Sequence, residues 1–71
     1  MTWQIVDRYL RRLERVSDAR LDAVGGPPVV GPLFRALNDA HDAMEDTPED
    51  ARLIDAGVQA GRKLLNLLDE W

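Results

Sequence analysis

The sequence contains no cysteine. Disulfides and thiolate metal sites are therefore excluded, and a reducing, cytoplasmic setting is compatible with the chain. No apolar run approaches the roughly 20 residues needed to span a bilayer, so no membrane partner is expected. The N-terminus lacks the basic patch and apolar core of a secretory signal. Histidine occurs once, as His41. A metal site in a helical bundle draws on Glu-x-x-His pairs, and Asn38 stands where the glutamate would be. Ser17 has no base placed beside it, and no glycine-rich turn follows a strand. An enzymatic activity, a cofactor and a metal are therefore not expected. Lysine is nearly missing as well: Lys63 is outnumbered by arginine among the nine basic residues. That usage is expected of a GC-rich genome.

What remains is 71 residues, 45% hydrophobic, with a net charge of -4. Residues 1–71 fit one domain near the lower limit at which a single core suffices without staples. The acidic balance weighs against nonspecific nucleic-acid binding.

The periodicity predicts an all-α fold, a small up-down-up three-helix bundle with helices over about 3–24, 33–46 and 48–70. The third is the most clearly marked. Thr47-Pro48-Glu49-Asp50 offers a hydroxyl N-cap, a proline at the first helical position and an acid three residues after the cap. Leu53, Ile54, Gly57, Val58, Ala60, Gly61, Leu64, Leu65, Leu67, Leu68 and Trp71 then fill one apolar arc of about 200°, wider than the roughly 100° stripe of an ordinary surface helix. In the first helix, with Thr2 as N-cap, Trp3, Ile5, Val6, Tyr9, Leu10, Leu13, Val16, Leu21 and Val24 share one side, and Ser17 and Arg20 intrude on it. Gly25-Gly26-Pro27-Pro28 ends that helix. A linker over 25–31 follows, with Val29 and Val30 expected to tuck over the core. Pro32 opens the second helix, whose Leu33, Phe34, Leu37, Ala40, His41 and Met44 face inward. At 1.5 Å per residue the outer helices run about 33 Å and the middle one about 20 Å, so the middle helix cannot cover its neighbours fully. Trp3 is expected beside Met44 and Trp71 near the linker and Phe34, an aromatic plug at each end.

Three constellations are candidates for binding. Gly57 and Gly61, each preceded by alanine, make a doubled small-xxx-small pattern. Mid-helix glycine costs about 1 kcal/mol relative to alanine, so the pair implies close approach of another helix, from this chain or a second copy. With Leu53, Ala60, Leu64, Leu67 and Trp71 it forms the expected protein interface. Asp39, Asp42, Glu45, Asp46, Glu49 and Asp50 form an acidic patch with no basic residue between Arg35 and Arg52. It is either a solvated face or a docking patch for a basic surface. Arg8, Arg11, Arg12 and Arg15 form a basic stripe able to meet phosphates, although Asp7 and Glu14 flank it. His41 falls on the flank of the second helix's apolar side, the usual place of a partly buried core-edge residue.

The sequence thus points to a small non-enzymatic protein–protein interaction module, self-associating through the wide face of the third helix: an adaptor, inhibitor, antitoxin-like or phage-encoded regulator. Its partner is a protein, either a second copy or another chain. The alternative is a nucleic-acid-associated regulator using the arginine stripe.

Overall fold

Ser17 decides the course of the first third of the chain. A serine followed by an acid is a helix start signal, and in the computed structural model, which describes residues 3–70, a helix begins there. The serine is extended (φ -72°, ψ 154°) and its hydroxyl accepts from the Arg20 N–H at 3.3 Å. The helix expected over 3–24 is therefore two: α1, Trp3–Glu14, and α2, Asp18–Ala23. With α3, Pro27–Ala43, and α4, Ala51–Leu68, the described residues form four helices and no strand. Thr2 and Trp71, the expected first N-cap and second aromatic plug, lie outside the described residues.

The linker expected over 25–31 is also corrected. α2 ends in the paired turn that glycine permits: Gly25 N–H reaches Asp22 O at 3.1 Å and Gly26 N–H reaches Leu21 O at 2.9 Å. Gly25 and Gly26 hold φ of 119° and 70°, backbone that an L side chain resists. Pro27 and Pro28 then start α3, in the first turn, where a missing N–H removes no helical bond. Pro32, expected as the opener of this helix, lies inside it. Both Pro28 and Pro32 are exposed, so water can take the carbonyl that Pro32 leaves without a donor. α3 is 17 residues long against 18 for α4 and 12 for α1. The short middle helix on which an uncovered face depended does not exist.

The start of α4 moves three residues. Its N-cap is Asp50, whose carboxylate accepts from the Arg52 N–H at 2.9 Å. Thr47 donates its hydroxyl backwards, to Ala43 O at 3.2 Å, and closes the end of α3. Aspartate is the stronger cap of the two, and the helix starts at it.

The core explains the wide arc. Val6 and Leu13 from α1, Val30, Leu37 and Ala40 from α3, Met44, and Ile54, Val58, Ala60, Leu64, Leu65 and Leu68 from α4 are buried together. α4 packs on both α3 and α1, and a helix with two neighbours needs an apolar arc wide enough for both. Of the adjacent valines, Val30 is in the core and Val29 is exposed. At its far end α4 is finished by arginines from α1 and α2. Arg12 donates to the Glu70 carbonyl and Arg20 to the Leu68 carbonyl, and Arg20 also pairs with the Glu70 carboxylate at 2.6 Å. Cations at a helix C-terminus meet its unpaired carbonyls and the negative end of its dipole.

Candidate interaction surfaces

The glycine seam of α4 is filled from within. A Cβ on Gly57 would lie 2.8 and 2.9 Å from the two methyls of Val6, and one on Gly61 would lie 2.7 Å from Cδ2 of Tyr9. The two glycines meet α1 in the same residue order, so α1 and α4 run in parallel with their backbones close. The close approach read from the sequence is real, and the approaching helix is α1. Gly57, Ala60, Gly61 and Leu64 are buried within the chain. Leu53 is half-buried and Leu67 is exposed at 39%. Trp71 lies outside the described residues. The six described residues of the seven expected to form one interface are thus divided between core and surface.

The arginine stripe is brought together as expected. Arg8, Arg11, Arg12 and Arg15 line one open groove of about 680 Å³, with Tyr9 and Leu65 in its wall. Part of its charge is matched inside the chain: Arg11 Nε pairs with Asp7 Oδ2 at 3.0 Å, and Arg12 is engaged by the carbonyl of Glu70. The acidic patch is fully on the surface. Asp39, Asp42, Glu45, Asp46, Glu49 and Asp50 are all exposed, and apart from the N-cap Asp50 none of their side chains pairs or hydrogen-bonds with another described residue.

A further site was not singled out in the sequence. At the end of the molecule where α1 begins and α3 stops, Trp3, Met44 and Pro48 wall an open cleft of about 410 Å³ whose polar lining is Asp7, His41 and Glu45. Helical spacing builds each wall. Trp3 and Asp7 are one turn apart on α1, and Met44 and Glu45, just past the end of α3, follow its His41 by about one turn. Trp3 sits beside Met44 as expected. It does not plug the core, because in the first turn it has no earlier residues to cover it, and it stays 43% exposed over a Met44 that is buried. Asp7 ties the cleft wall together. Its Oδ1 lies 3.0 Å from His41 Nε2 and its Oδ2 3.0 Å from Arg11 Nε, so one carboxylate joins α1 to α3. His41 is half-buried and engaged in this link. What could have marked the site beforehand is the coincidence of a first-turn tryptophan with a last-turn methionine at the same end of the fold.

Among the described residues no group of histidine, aspartate and glutamate converges to hold a metal ion, and no helix is long and apolar enough to cross a membrane. No protein-family model matches the chain, and no curated protein or solved structure matches it either.

Proposed function

We propose that this chain is a small non-enzymatic protein–protein interaction module and that it engages its partner through the Trp3 cleft. The observation that carries this is a tryptophan exposed over an open, apolar-walled cleft in a chain whose other aromatics in the described residues are at least partly packed on the core. Tryptophan is the residue most enriched among those that dominate binding energy, and it does so where a pocket and a ring of water-excluding neighbours surround it. The α4 seam is a weaker choice, because Val6 and Tyr9 already occupy it. Self-association would then use the Trp3 cleft or the exposed Leu67 in place of the glycines. An adaptor, inhibitor or antitoxin-like regulator all fit a module of this kind.

The test is capture from the cell extract of the source, with wild type and Trp3→Ala compared side by side. Trp3 is half-exposed, so the variant is expected to keep its helical circular dichroism. A partner held by the wild type should be weakened about thirty-fold, the ~2 kcal/mol of a hot-spot residue. Equal retention by both proteins would remove the cleft from consideration. A generic duplex shifted by the wild type and released by Arg8→Ala with Arg15→Ala would favour the nucleic-acid alternative instead.

A further inference from the structure

Resting on that interaction reading, we infer that the occupant of the Trp3 cleft is a basic amphipathic segment of a partner protein. It would place an apolar side chain against Trp3, Met44 and Pro48 and direct flanking lysine or arginine toward Glu45.

The apolar half of this description follows from the walls. Met44 forms a buried floor, and the indole of Trp3 and the ring of Pro48 stand beside it. At about 410 Å³ the cleft is near the lower end of the roughly 300–1,000 Å³ range of small binding pockets, a size for side chains and not for a domain. The basic half follows from which charges around it are already matched. Asp7 has both oxygens engaged, one by His41 and one by Arg11, so its charge is met within the chain. Glu45 has no such partner among the described residues. Before and after it in the chain, Asp42 in the last turn of α3 and Asp46 and Glu49 in the connection to α4 are exposed and likewise unpaired, and the sequence has no lysine or arginine from 36 to 51. A segment approaching this end therefore meets unpaired carboxylates beside an apolar wall. Their field speeds the encounter with a cation and penalises an acidic competitor. Trp3 adds to the same selection, since the indole face is the aromatic surface that cations prefer, and guanidinium also stacks on it. The acidic turn alone would attract any polycation. The apolar wall beside it is what makes an amphipathic segment the better fit.

The test uses the full chain carrying Trp71→Phe, so that Trp3 is the only tryptophan reporting. A helical leucine/lysine amphipathic peptide is titrated against it, with the same pattern in leucine/glutamate as the control. The lysine peptide is expected to shift Trp3 emission saturably, to bind about ten-fold more weakly to Glu45→Lys, and to lose affinity as salt is raised. Glu45→Gln, which removes the charge without reversing it, should fall between the two. Calorimetry should show a comparable loss for Trp3→Ala with its helix content intact. Failure of the lysine peptide to bind, equal binding of the glutamate peptide, or equal affinity in Trp3→Ala would each overturn the inference. The two levels separate cleanly. A cellular partner that needs Trp3 and ignores Glu45→Lys leaves the interaction module standing and removes its basic partner. A partner indifferent to Trp3 removes both.

Discussion

Gly31, Gly57 and Gly61 all lie inside helices, and their surroundings assign them opposite effects. A Cβ at Gly31 would meet no atom within 4 Å apart from its chain neighbours and the helix's own backbone. Gly31→Ala should therefore recover the backbone entropy that glycine loses, offset in part by the Cδ of the following Pro32, a net stabilisation of less than about 1 kcal/mol. At Gly57 the same helical gain is opposed by Val6, whose methyls would stand 2.8 and 2.9 Å away. Val6 is fully buried and β-branched, so its side chain has no free rotamer into which to retreat. Overpacking of this kind costs about 1–3 kcal/mol, so Gly57→Ala should come out destabilised by about 1 kcal/mol. Urea denaturation of the two variants beside wild type decides it. If both gain equally, α1 does not lie on the seam. At this scale the sequence was informative about the small residues and silent about the identity of their neighbour. A glycine pair states that a backbone comes close, and α1 and a second copy satisfy that statement equally.

Among the elements, α4 was the most legible, since its apolar arc and its central position follow from the pattern of Leu53 to Leu68, while its 18 residues fall short of the expected span over 48–70 at both ends. The boundaries were less so, and for an identifiable reason: the same residues stop one helix and start another. Gly25-Gly26-Pro27-Pro28 reads as an end, yet prolines in a first turn are also a beginning, and the structure uses them so. Ser17 reads as a polar intrusion if the helix is continuous and as a cap if it is not. Thr47 and Asp50 are both cap formers, separated by less than one turn. Their variants distinguish the two starts. Asp50→Ala should cost about 1 kcal/mol, because the Arg52 N–H loses its acceptor. Thr47→Ala removes only an exposed hydroxyl bond to Ala43 O and should cost less than half of that by the same measurement. The reverse order would move the start of α4 back to Thr47. The Trp3 cleft was not legible for a different reason. Exposure of a first-turn tryptophan depends on where α3 ends, and α3 stops at Ala43, three residues short of its expected end, leaving Met44 to Pro48 outside the helix beside Trp3.

For the molecule as a whole, the deciding quantity is how little stability 71 residues provide. At about 0.05–0.15 kcal/mol per residue, the whole fold is worth roughly 4–10 kcal/mol. Leu64 and Leu67 were read together as members of one interface, and the structure separates them: Leu64 is fully buried between α4 and its neighbours, whereas Leu67 is 39% exposed. Truncating a buried leucine costs about 2–5 kcal/mol through lost burial and the cavity left behind. Leu64→Ala should therefore remove about half of the total and lower the midpoint of thermal unfolding by about 4–8 °C for each kcal/mol lost. Leu67→Ala should stay within about 0.5 kcal/mol of wild type, as surface substitutions do. Circular dichroism melts of the two single variants read the difference directly. A near-neutral Leu64→Ala would mean that this face of α4 is not consumed by the chain's own core, and it would restore the glycine-lined face as the surface offered to a second copy. A large loss at Leu64 with none at Leu67 would leave α4 as the central support of the fold and place the search for a partner at the other end of the chain, where Trp3 is uncovered.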